Sequence, residues 1–212
     1  MAQSVSKNFY IGDLNYGRKN ALPIKREIFK NVKEMNKAII NGWNNVVTEE
    51  DTVYILGDMF FCSRDETIAV LKALNGNKVL IVGDNDDIKS IAVRNEYSIV
   101  ENYLEIKDGD NNVILCHYPI IPFKRNNYTN WFHFYSHIGK DAEYKMIRRF
   151  QQEYIDNTKN PCQMYNVGAM MPYMNYTPRT LDEIIAGDEA YRQTDAYLQN
   201  RIEETQNKHE ED

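Results

Sequence analysis

Short apolar runs alternate with stretches of helical periodicity through the first half of the chain. Residues 8–12, 52–56 and 78–82 are strand-length runs rich in aliphatic, aromatic and β-branched side chains, and each leads into Gly-Asp: Gly12-Asp13, Gly57-Asp58 and Gly83-Asp84. After Pro23, apolar residues recur at Ile24, Ile28, Val32, Met35, Ile39 and Trp43. Steps of three and four put them on one face, which predicts a helix packed inward. A shorter helix over residues 65–74 separates the second and third runs. Strand, helix, strand with matching polar ends is an α/β pattern.

The second half continues with different punctuation. Residues 98–106 and 112–116 predict a hairpin around Lys107-Asp108-Gly109-Asp110, and the second arm runs into His117. A strand over 131–136, a helix over 141–158 and a strand over 163–167 follow, then a loop over 168–178. Of the aromatics Tyr128, Trp131, Phe132, Phe134, Tyr135, Tyr173 and Tyr176, those from 131 to 135 predict a buried strand with a structural His133. Met146, Phe150 and Tyr154, four apart, predict the core face of the helix. From Asp188 the chain is polar, and Tyr191, Leu198 and Ile202 form a thin stripe suited to a surface helix. The expected organisation is one domain over 1–186 and a polar helix with an acidic tail over 187–212.

Composition narrows the class. At 212 residues, 42% hydrophobic, the chain can bury one substantial core. Twenty-five basic against 31 acidic residues gives a net charge of −6, and without a basic run duplex nucleic acid is not supported as a partner. Cys62, Cys116 and Cys162 are odd in number and widely spaced, which fits free thiols. No apolar stretch has the length of a membrane span and no leader-like segment precedes the first strand, so a cytoplasmic protein with no membrane partner is expected.

Asp13, Asp58 and Asp84 follow successive strands, and His117 and His137 follow two later ones. Strand ends are where ligands bind in α/β sheets, and this set of oxygen and nitrogen donors suits a divalent transition metal. Each residue alone is more simply a cap, a turn residue or a hydrogen-bonded core group; their recurrence at strand ends favours a site. Taken in order, Gly12-Asp13-Leu14-Asn15, Gly57-Asp58, Gly83-Asp84-Asn85-Asp86, His117-Tyr118-Pro119 and Ser136-His137-Ile138-Gly139 resemble the five blocks of the calcineurin-like metallophosphoesterase superfamily: D-x-H, G-D, G-N-H-D, H and G-H-x-H. The segments Tyr165-Asn166-Val167-Gly168 and Pro178 to Ile184 also resemble small bacterial and phage members, so the likeness spans about residues 8 to 186.

The resemblance implies a four-layer α/β/β/α sandwich and a two-metal phosphoesterase site, but with losses. Asn15, Arg18, Asn85 and Gly139 stand where the family carries imidazoles. One implied metal site keeps only Asp13 and Asp58, with Asn15 a weak amide ligand. The other keeps Asp58, His117 and His137, with Asp84 at the amide position. One divalent ion (Mn, Fe or Zn) is therefore expected. In the implied chemistry Asp13 and Asn15 orient water, and Asn85 occupies the catalytic position of a proton donor that it cannot replace. A register shifted by one would instead make Asn85 the amide ligand and Asp86 the substitute for histidine. Arg18 or Lys140 could supply a fixed positive charge that binds a phosphate-bearing small molecule or nucleotide. Three readings stay open: a reduced phosphate ester hydrolase, an inactive phosphate-binding protein, and a module for a protein partner.

Overall fold

Eight strands build two four-stranded sheets in the computed structural model, which describes residues 6–19, 28–137 and 142–194. In the first sheet β1 (Asn8–Ile11), β2 (Thr52–Ile55), β3 (Asn77–Ile81) and β4 (Ile99–Glu101) lie side by side in sequence order, all parallel. In the second, β5 (Tyr103–Asp108) is antiparallel to β6 (Asn111–Cys116), and β7 (Trp131–Tyr135) and β8 (Met164–Asn166) continue in parallel. Five helices are present among the described residues: α1 (Val32–Val46), α2 (Arg64–Ala73), α3 (Ile91–Arg94), α4 (Ala142–Thr158) and α5 (Leu181–Arg192). The molecule is a mixed α/β protein, and none of the described helices is long and apolar enough to cross a membrane.

Register explains why polar residues converge at one end. Ile11 pairs with Ile55 and Ile55 with Leu80, so the Gly-Asp segments that follow these strands leave the sheet together. Gly57 takes φ +78°, and a Cβ there would come within 2.6 Å of both Gly83 Cα and His117 Nδ1. Only glycine lets these loops approach so closely. The second sheet meets the first at the same end: Gly12 N–H donates to Val167 C=O (2.9 Å) and Ala169 N–H to Gly12 C=O (2.8 Å). Between the sheets Tyr10 stacks on Tyr54 and meets Phe134 edge-on, centroids 5.4 and 4.8 Å apart. Its hydroxyl donates to Asp108 in the hairpin (2.8 Å).

Several expectations are corrected. The first helix starts at Val32, because the Asn31 side chain accepts the Glu34 N–H and caps it there; Ile28 lies outside the helix and is exposed. Residues 20–27, with Ile24, lie outside the described residues. The run 98–106 is two strands, β4 on the first sheet and β5 on the second, divided at Asn102. Met146 is 61% exposed, while Phe150 and Tyr154 pack partly buried against the core beside the buried Tyr144, Ile147, Arg148 and Gln151 of α4. Asp188 is fully buried within α5, which begins at Leu181 with a Thr180/Glu183 capping box and runs across position 186. Leu198 and Ile202 lie outside the described residues. The strand over 131–135 is buried throughout, and all three cysteines are free thiols.

Candidate metal centre

Five sequence-derived candidates come together where the strands end. Asp84, His117 and His137 each offer a ligand atom, all within 4.8 Å of one another; so do Asp13, Asp58 and His117. His137 Nδ1 stands 3.1 Å from His117 Nε2 and 3.7 Å from Asp84 Oδ2. Three of the loop residues that shape the site adopt left-handed backbone without being glycine: Asp13 (φ 50°), Asn15 (φ 51°) and Asp58 (φ 51°). Such conformations cost free energy, concentrate at functional sites and persist only where neighbours enforce them. Here the neighbours are backbone bonds between two loops, Asp13 N–H to Gly57 C=O (3.0 Å), Asn15 N–H to Asp58 C=O (3.0 Å) and Tyr16 N–H to Met59 C=O (2.8 Å).

His117 is buried and its ring is fixed from behind. Nδ1 lies 2.7 Å from Leu56 C=O, so this nitrogen carries the proton and donates it, leaving the Nε2 lone pair toward the site. Ser136 Oγ, which also donates to Leu56 C=O, flanks Nδ1 at 3.1 Å. His117 belongs to both candidate groups and has a single lone pair, on Nε2, which faces His137 Nδ1 at hydrogen-bond distance (3.1 Å). The two groups therefore cannot each complete a metal site with it.

The carboxylates have separate supports. Asp58 accepts the Asn85 backbone N–H on Oδ1 (2.9 Å) and the Asn85 amide on Oδ2 (2.7 Å). Asn85 is thus an orienting partner of Asp58. Asp86 turns inward and accepts N–H groups of Gly83 (2.8 Å), Asp58 (3.0 Å) and Met59 (3.3 Å). Burial raises its pKa against those hydrogen bonds. Its carboxylate is committed to tying two loops together, so Asp84 is the residue of this segment that joins the imidazoles.

Tyr118 had no assigned role in the sequence reading. Its hydroxyl donates to Asp84 Oδ1 and its ring lies 4.6 Å from that of His137. The bond to Asp84 pushes the phenol pKa up to about 12, so the tyrosine stays a donor. The only signal for it in the sequence is its place directly after His117. Arg18 Nη1 donates to Asn15 Oδ1 (2.8 Å), while Asn15 Nδ2 donates to Asp13 C=O (2.9 Å). Gly139 and Lys140 lie outside the described residues.

Fold and site together define a mixed α/β protein with a His/Asp cluster at its strand ends that could hold a metal ion. No family model matches the chain. The chain is similar to uncharacterised protein MJ1445 of Methanocaldococcus jannaschii, 29% identical over 185 residues that cover 86% of this chain and 91% of that one. It is 26% identical over 149 residues to the Gene 66 protein of Mycobacterium phage L5, covering 60% of this chain and 71% of that protein. Among solved structures it shares the fold of AQ665, a protein of unknown function from Aquifex aeolicus, with TM-score 0.63 at 22% identity; the match covers 86% of this chain and 99% of AQ665.

Proposed function

We propose that this chain is a calcineurin-like phosphoesterase, its two sheets and helices forming a four-layer α/β/β/α sandwich, that acts on a phosphate ester through a single divalent transition metal. The observation that carries the reading is the convergence of Asp84, His117 and His137, with His117 oriented from behind by Leu56. Two imidazoles and a carboxylate, with Asp58 adjacent, fit Mn, Fe or Zn better than a hard ion that takes only oxygen ligands. The sharing of His117 between the two groups supports one ion rather than two. When bound, the ion supplies Lewis acidity toward a phosphoryl oxygen and acidifies water.

The chain's own residues set the rest. Tyr118 holds Asp84 and Asn85 holds Asp58, so both carboxylates are oriented before an ion or substrate arrives. Asp13, close to Asp58 and His117, can align water and accept its proton. Asn85 cannot protonate a leaving group, so the chemistry suits esters whose leaving group departs as a stable anion, such as aryl esters or anhydrides. A non-catalytic phosphate-binding role is the second reading, favoured by the engagement of the Asn85 amide with Asp58. Metal analysis combined with an aryl and alkyl phosphate ester screen tests the proposal. One bound ion and chelator-sensitive turnover biased to aryl esters are expected. Two stoichiometric ions, or turnover indifferent to chelators, would overturn it; one ion without turnover selects the second reading.

A further inference from the structure

Asp13, Asp58 and Asp84 gather carboxylates at one end of the sheets, so a phosphate approaching the ion also needs a cation from the chain. The loop that carries Asp13 also carries Arg18, and that loop is laced to the Asp58 loop as far as Phe61, whose N–H donates to Tyr16 C=O (2.7 Å). The Arg18 guanidinium lies over the Phe61 ring, 4.4 Å from its centroid, and Nη1 is held by Asn15. Among the described residues, Nη1 is the only nitrogen of this fork with a hydrogen-bond partner. Gly17 N–H donates to Asn36 Oδ1 of α1 (2.9 Å), which anchors the residue before Arg18.

Resting on the one-metal reading, we propose that Arg18, positioned by Asn15 and Phe61, is the second cation of the site and binds the phosphoryl oxygens of the ligand. A guanidinium suits this place for two reasons. Its planar fork matches phosphate bidentately, and it is more weakly hydrated than an ammonium. Asn15 contributes as an acceptor: its amide oxygen faces the fork and its amide nitrogen is bonded back to Asp13, so its orientation is set by two partners. A histidine at position 15 could ligate an ion but could not orient the arginine in this way.

The test is calorimetric titration of inorganic phosphate into metal-free and Mn-loaded protein, for the parent, Arg18→Ala and Arg18→Lys. Titration of Mn itself runs alongside. Loss of a charge-assisted hydrogen bond is expected to weaken phosphate binding by roughly ten- to a hundred-fold in Arg18→Ala, with Arg18→Lys between the two. Mn affinity should be unchanged or tighter in Arg18→Ala, where a neighbouring positive charge has been removed, and close to the parent's in Arg18→Lys, which keeps the charge. A merely structural arginine would instead lower the melting temperature and leave the phosphate isotherm intact. Equal phosphate affinity in parent and Arg18→Ala, or no phosphate binding by the Mn-loaded parent, overturns the proposal. A parent that binds no Mn but shows an Arg18-dependent phosphate isotherm overturns the one-metal reading and leaves the assignment of Arg18 supported.

Discussion

At the scale of single residues, two histidines in similar surroundings do opposite things. Both are buried, but His117 turns Nε2 toward His137 Nδ1 and the other candidate ligands, whereas both nitrogens of His133 face backbone groups. His133 Nε2 accepts the Ile120 N–H (2.9 Å) and Nδ1 faces Ile114 C=O (3.2 Å), which fits the neutral ring donating at Nδ1. A protonated ring would point a second N–H at the Ile120 N–H, and burial pulls the pKa down to about 4. The unfolded chain keeps an ordinary histidine near 6.5, so between these values the unfolded state binds more protons and stability rises with pH. This contribution is fully present above about pH 6.5 and is lost as pH falls toward 4; integrated over the window it is of order 3 kcal/mol. Denaturant unfolding at pH 7 and pH 5 should show the loss. His133→Asn should be less stable at pH 7 but flatter across the window, and a variant as steep as the parent would refute the assignment.

At the scale of elements, α4 and α5 are held together by a buried ion pair. Arg148 Nη2 donates to Asp188 Oδ2 (3.1 Å), both side chains being almost fully buried, and Arg192 one turn on donates to the same oxygen (2.6 Å) from a half-exposed position. Removing one partner of a buried pair leaves the other desolvated, at about 3–5 kcal/mol, while an exposed partner contributes about 1 kcal/mol or less. Asp188→Ala should therefore destabilise strongly and Arg192→Ala weakly, measured by chemical denaturation; equal effects would mean that Arg148 finds another partner. This pair also shows where the sequence is hard to read. Arg148 and Asp188 are 40 positions apart, so a polar helix with a buried charge looks like a surface helix until its partner is known. The strands and their Gly-Asp ends were legible because parallel, doubly covered strands need continuous apolar runs and their loops need glycine for close approach. Asn31 as the cap that fixes the start of α1 was not, because a single Asn competes with a continuous apolar period. Within the site, Asp58, Asp84 and His117 announced themselves by position, whereas Tyr118 and the Arg18–Asn15 bond depend on side-chain directions that spacing does not encode.

At the scale of the whole molecule, the site is a junction between the two sheets, so ion binding should report on global stability. Asp13, Asp58 and Asp84 follow strands of the first sheet; His117 and His137 follow strands of the second, and the Gly12 and Val167 backbones seam the two beside them. An ion held by Asp84 with His117 and His137 bridges both halves, and an unfolded chain cannot assemble that set. Stabilisation by mass action then follows RT ln(1 + [L]/Kd), about 2.7 kcal/mol at one hundred times Kd. For a domain of this size that shift corresponds to roughly 5–11 °C in melting temperature. Thermal melts with a Mn series should show the rise in the parent and none in His137→Ala, whose exposed imidazole can be removed with little effect on the metal-free fold. Asp84→Asn, which keeps an oxygen for the ion but loses the charge, should fall between them. A parent whose melting temperature ignores Mn, with His137→Ala strongly destabilised without it, would show that the His/Asp cluster is a structural polar network between the sheets rather than an ion site.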